Sequence, residues 1–286
     1  MKKLLKWTGL VLGSLVGLLV LAVVVLYILG GSKANATYEI TPALTSVPSD
    51  SASIARGSHL ASIHACRYCH GDNLEGKILD DVPPFRLAPP NLTPGKGGIG
   101  PSYSDADWDR AIRHGVSPEG RALLVMPAEF FNGMADEDAA ALIAFLKTLP
   151  PVDNEVPPTE FHTLGRILAG AGPLDPVQFI KATRGRATAP PPGPTLEYGD
   201  YLAHITCIGC HGPDLRGGPS PNPEVPGSDL AAVGSWSYDD FANTMRTGER
   251  PSGAAMDPAN MPWPAFAAMT DDELRALHTY LQTLSN

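Results

Sequence analysis

Cys66-Arg67-Tyr68-Cys69-His70 and Cys207-Ile208-Gly209-Cys210-His211 hold all four cysteines of the 286-residue chain. A spacing of three residues is close to one helical turn, so the two thiols of each motif share a face and the histidine follows directly. Two thiols so placed match the two vinyl groups on one porphyrin edge, and the adjoining imidazole reaches the iron beneath. The motifs predict two covalently bound haem c groups. Cys66, Cys69, Cys207 and Cys210 would form the thioether links, with His70 and His211 as proximal iron ligands.

Other uses of paired cysteines fit less well. A redox-active pair sits in a βαβ setting, and no strand–helix alternation precedes either motif. A four-cysteine zinc site would join two knuckles about 140 residues apart and leave both histidines unused. A disulfide across two intervening residues closes too small a loop to stabilise much.

Reading outwards from each motif shows an internal repeat. A short helix precedes each, with Gly57 and Leu60 in the first half and Gly199, Tyr201 and Leu202 in the second. Ser104-Asp-Ala-Asp-Trp108 and Ser237-Tyr-Asp-Asp-Phe241 then read as N-capped helices. Their apolar faces pair Trp108 with Ile112 and Phe241 with Met245, and they stop at Gly115 and Gly248. Phe131, Met134 and Phe145 recur as Phe266, Met269 and Tyr280. The last helix opens with a capping box, Thr270-Asp-Asp-Glu273, and carries Leu274, Leu277, Leu281 and Leu284 on one stripe.

The distal side of each iron is read from the methionines. Met134 and Met269 stand beside the final helices, where a packing role accounts for them. Met126 and Met261 each precede a proline in an irregular loop that no helical period claims. They are the predicted distal ligands, with Met256 a rival in the second half. His/Met ligation raises the potential and suits electron transfer. His59, His64, His162 and His204 are read as surface or packing residues. His114 closes a helix, where a bis-histidine alternative is weak, and His278 is expected to be exposed.

Residues 9–30 carry no charge and are long enough to cross a hydrocarbon core as a helix. Lys2, Lys3 and Lys6 precede them, which places the N-terminus in the cytoplasm. A cleaved signal peptide with Ala34-Asn35-Ala36 as its end is the alternative, but its apolar stretch would be shorter. Beyond residue 30 the chain has 18 basic against 30 acidic residues, which excludes nucleic acid as a natural partner and favours a basic docking patch on a protein. The domain plan is an anchor at 9–30, a tether at 31–53, a first domain at 54–150, a proline-rich linker at 151–196 and a second domain at 197–286. Short amphipathic helices packed on a domain are allowed between Phe161 and Arg184.

These motifs resemble class I cytochromes c over most of residues 54–150 and 197–286. Asn91-Leu-Thr-Pro94, Gly97-Gly-Ile-Gly100, Ser104–Trp108, Gly115-Val-Ser-Pro-Glu-Gly-Arg121 and Met126-Pro127 are similar to the cytochrome subunits of membrane-bound alcohol, aldehyde and gluconate dehydrogenases. Those subunits commonly carry three haems, whereas this chain has two sites, and their membrane attachment often lies elsewhere. The resemblance implies small all-α domains, His/Met haems and a dehydrogenase as electron donor.

The expected fold is all-α, with two tandem cytochrome c domains after one N-terminal transmembrane helix. The expected role is single-electron transfer at the cytoplasmic (inner) membrane, on its periplasmic or extracellular face. Electrons would pass from a dehydrogenase or quinol-oxidising complex to an oxidase or another cytochrome. No acid–base or nucleophilic constellation marks the chain as an enzyme. A dihaem peroxidase or a haem-based sensor is the alternative, and each needs an iron with an open distal position.

Overall fold

The computed structural model describes residues 2–42, 44, 46–124, 126–172, 188–218 and 225–285. Helix α1, Lys2–Ala34, is apolar, exposed and long enough to cross a membrane. The first domain follows with α2 (Ser51–Ile63), α3 (Cys66–His70), α4 (Asp105–His114), α5 (Ala128–Phe131) and α6 (Asp136–Leu146). Strands β1 (Asp80–Val82), β2 (Phe85–Leu87) and β3 (Glu160–Phe161) form a small antiparallel sheet beside it. Helix α7, Thr163–Ala171, leads away from this sheet. The second domain comprises α8 (Leu196–Thr206), α9 (Ile208–His211), α10 (Ala231–Gly234), α11 (Tyr238–Thr247), α12 (Trp263–Phe266) and α13 (Asp271–Thr283). The predominance of helix agrees with the all-α expectation.

Each domain closes by packing its first helix on its last. The crossing is close because a glycine stands at it. A Cβ on Gly57 would fall on the carbonyl of Ala141, and one on Gly199 would fall on that of Ala276. Around these crossings lie Leu60, Ile63, Leu142 and Ile143 in one domain and Leu202, Ile205, Leu274 and Leu277 in the other, all buried. The cap signals also hold. Ser104 and Asp107 make a capping box, Ser237 accepts from the Asp240 N–H, and Gly115 and Gly248 take the left-handed conformation at the C-caps.

Three segments depart from the sequence reading. Part of the expected tether is laid along the first domain. The Tyr38 N–H donates to the Gly120 carbonyl, Arg110 Nε donates to that of Ile40, and the Leu44 N–H donates to Asp109. Helix α7 packs on the first domain, where Gly165 lies against the Pro84 carbonyl between β1 and β2, and also on α1, which the sequence did not suggest. Gly30 and Gly170 permit close approach, Lys33 Nζ donates to the Ala169 carbonyl, and the Arg166 guanidinium lies over the Tyr27 ring. Residues 173–187, the rest of that part of the linker, lie outside the described residues. His278 is buried, not exposed, because it stacks on Phe241 and meets the Trp236 carbonyl at 3.0 Å.

The two domains are joined by a polar clasp built on the repeat. Asp138 and Glu273 occupy the same position, the third residue of α6 and of α13. Each receives a side chain from the first helix of the other domain. His59 Nε2 lies 2.8 Å from Glu273, and the Tyr201 hydroxyl donates to Asp138 at 2.8 Å. Arg56 spans the pair, with a two-pronged bond to Asp138 and a longer one to Glu273. Tyr201 does a second task. Ala135 caps α6 where Thr270 caps α13, and alanine has no capping oxygen. The Thr270 N–H donates to Glu273, and the matching Ala135 N–H donates instead to the Tyr201 hydroxyl at 3.1 Å. One domain thus takes up the N–H that leads into a helix of the other.

Tyr201→Phe strands the Ala135 N–H and one bond to Asp138, so it should lower unfolding stability by about 1–3 kcal/mol in a urea titration. Burial opposes the charge on Glu273. The bonds from His59 and the Thr270 N–H, with Arg56 nearby, outweigh burial and hold its pKa below the ordinary glutamate range. The clasp is therefore at full strength above about pH 4.3, the free glutamate value, and weakens as pH falls through the lowered one. Glu273→Gln should flatten that part of the stability-against-pH curve.

Candidate haem-attachment sites

Each motif opens a short helix at the end of the domain's first helix. In the second domain α8 runs into α9 with only Cys207 between them. The first domain has one residue more between Gly57 and Cys66 than the second has between Gly199 and Cys207. The extra residue is absorbed at Ala65, which takes a left-handed φ of 55°. Both motifs end on a glycine of positive φ, Gly71 and Gly212. Three residues further on, Leu74 and Leu215 are also left-handed, at φ of 62° and 60°, and wholly buried. The Gly76 and Gly217 N–H groups return to the His70 and His211 carbonyls, so the same loop is built twice.

The imidazoles are oriented from behind. His70 Nδ1 lies 2.9 Å from the Pro90 carbonyl and His211 Nδ1 lies 2.8 Å from that of Ser228. A carbonyl accepts only, so Nδ1 carries the proton and Nε2 keeps a lone pair for a metal. Burial lowers the pKa of both histidines, which favours the neutral, ligating form. These two carbonyls are the partners that the sequence did not show, since backbone acceptors leave no side-chain signature. The Gly-x-x-Leu-x-Gly run after each motif, Gly71–Gly76 and Gly212–Gly217, was the available signal for a shared loop.

In the first domain the motif faces a cavity of about 570 Å³. Cys66, Cys69 and His70 line one side of it. Leu92, Trp108, Ile112, Leu142 and Met126 contribute further wall, so the sequence-predicted residues of this half come together. In the second domain Cys207 and Met261 pack against the hydrophobic core, and Met261 stands just before α12 as Met126 stands just before α5. Met134 and Met269 are fully buried core residues, consistent with a packing role. Met245 is buried on α11, and the Met256 carbonyl accepts the Trp263 Nε1–H.

The thiols are not built for redox exchange. No disulfide links them, and burial pushes Cys66 and Cys207 up to about 12. A reactive pair needs the opposite shift. His64, beside Cys66, is buried, and desolvation lowers its pKa to about 4, so it is neutral at ordinary pH.

An apolar cavity, two thiols on one edge and an imidazole with a free Nε2 fit a covalently attached haem, and such a site defines a haem-binding domain. The sequence profile of cytochrome c matches residues 54–150 and 196–285, and the chain belongs to the cytochrome c family. Membership implies covalent haem c. The cytochrome c subunit of quinone alcohol dehydrogenase from Komagataeibacter europaeus is 28% identical, over 85% of this chain and 58% of its own length. The fructose dehydrogenase cytochrome subunit of Gluconobacter japonicus is 27% identical over 92% of this chain and 58% of its own. This chain thus spans little more than half the length of those relatives. A dihaem c-type cytochrome of Cereibacter sphaeroides is 29% identical over 68% of this chain and 70% of its own.

Proposed function

We propose that this chain is a membrane-anchored dihaem cytochrome that passes single electrons on the periplasmic face of the inner membrane. The donor would be a dehydrogenase or a quinol-oxidising complex, and the acceptor an oxidase or another cytochrome. The observation that carries the reading is the matched pair of histidines, each with Nδ1 tied to a backbone carbonyl beside two thiols of the same helical turn. The named relatives are cytochrome subunits of dehydrogenases, which supports the donor. Helix α1, which carries Lys2, Lys3 and Lys6 at its start and an apolar stretch after them, supports the anchor and its sidedness.

A haem at each site supplies a one-electron ferric–ferrous couple. Cys66, Cys69, Cys207 and Cys210 would hold it by thioether bonds, and His70 and His211 would ligate iron through Nε2. The Pro90 and Ser228 carbonyls fix the ring tautomer and raise its basicity. Met126 and Met261 would complete the coordination and close the iron to small ligands, as an electron carrier requires. In the first domain Leu92, Trp108 and Leu142 keep the cavity dry, which favours the less charged ferrous state.

Protein matured in a host that attaches haem c should gain the mass of two porphyrins and keep its colour after acid–acetone extraction. Complete loss of pigment refutes covalent attachment. Met126→Ala and Met261→Ala should each remove part of the near-infrared band that ferric iron shows with a thioether ligand, and each should let carbon monoxide bind one ferrous site. An unchanged band in either variant would reassign that ligand, with Met256 the first residue to test in the second domain.

A further inference from the structure

The second attachment motif touches the first domain through a contact that the repeat does not repeat. Phe130, on α5 just after Met126, lies against Gly209, the third residue of the second motif. The contact is so close that a Cβ on Gly209 would fall within the phenyl ring. Beside it, His64 Nδ1 lies 3.4 Å from the Thr206 hydroxyl. His64 is two residues before Cys66, and Thr206 is one before Cys207. The His64 ring packs edge-on to Phe131, and both residues line the first cavity. A continuous run of side chains thus leads from the wall of the first cavity to the backbone of the second attachment motif.

Sequence makes this junction one-sided. The residue matching Phe130 is Ala265, and the residue matching Gly209 is Tyr68. The first domain holds the large member of both pairs, so the mirror contact would set alanine against an exposed tyrosine. His64 matches Thr206 when the first helices are aligned on Gly57 and Gly199, so this second contact joins equivalent positions, and the residue inserted before Cys66 is Ala65. The left-handed Ala65 is the backbone cost of that insertion. One exception to the repeat, Phe130 on Gly209, and one contact between equivalent positions hold the first domain to the start of the second motif.

We propose that Phe130 and His64 are positioning residues that set the separation of the two attachment motifs and so permit electron exchange within one molecule. The inference rests on the dihaem reading above. With a haem at each site, one electron would pass from ferrous iron at one to ferric iron at the other, with no bond made or broken and no proton moved.

The test uses full-length protein with both haems confirmed by mass. A flash delivers less than one electron per oxidised molecule, and its redistribution between the two haem spectra is followed over a range of protein concentrations. The wild type should redistribute at a rate independent of concentration. Gly209→Val, which must push Phe130 away, should be slower by about tenfold, an increase of about 1.4 kcal/mol in the barrier. Phe130→Ala should also be slower, with both midpoint potentials unchanged, which separates a change of spacing from damage to a site. If Gly209→Val fails to take up haem, Phe130→Ala decides alone. Wild-type rates in the loaded variants overturn the proposal, as does a wild-type rate proportional to concentration. Neither of those results touches the carrier role of each domain, whereas a mass lacking porphyrin removes the dihaem reading itself.

Discussion

Each domain depends on a glycine of its first helix lying against a backbone carbonyl of its last. Gly57 on Ala141 and Gly199 on Ala276 bring the helices closer than any side chain would allow. The crossing fixes where the first helix ends, and the attachment motif begins at that end. It also concentrates the aliphatic core on one side of the motif. In the first domain the other side is left as an apolar cavity that side chains do not fill. A chain in which one residue in five is glycine or proline has few long elements with which to close such a space. A large rigid cofactor bonded to the motif would supply the missing core.

The same repeat that builds two domains also builds the contact between them. Asp138 and Glu273 sit at the third position of a helix, where a carboxylate is already favoured by the dipole. Each then takes a donor from the other domain, so a feature of local helix chemistry becomes the clasp. The arrangement has the self-complementary form of a twofold dimer, although both halves lie on one chain. Its members differ, with Arg56 and His59 on one side and Tyr198 and Tyr201 on the other. That difference lets one domain be joined to the other without being able to replace it.

The repeat, the caps and the loop shared by the two Cys-x-x-Cys-His motifs were legible because each rests on short-range rules. Ser104, Thr270, Gly115 and Gly248 announce helix ends whatever surrounds them. Met126 could be separated from Met134 because only one of them lacked a packing explanation, and the structure buries Met134 and puts Met126 in the cavity wall. What escaped was made of long-range contacts. Nothing in the sequence near His278 shows that Phe241 and Trp236 will enclose it. The Pro90 and Ser228 carbonyls have no side-chain signature at all. Ala135 has no polar side chain to announce its contact, and the acceptor of its N–H lies on a tyrosine 66 residues further along the chain.

The pairing of α7 with α1 would change what α1 does mechanically as an anchor. A flexible leash would let the soluble part sweep a hemisphere and meet partners by chance. Here the chain leaves α1, runs along the first domain, and later returns to grip the same helix through Lys33, Arg166 and the close approach at Gly30 and Gly170. Two attachments to one rod act as a bracket. With α1 set in a bilayer, the first domain would stand at a fixed height and azimuth, and any protein exchanging electrons with it would have to present its own surface at that height.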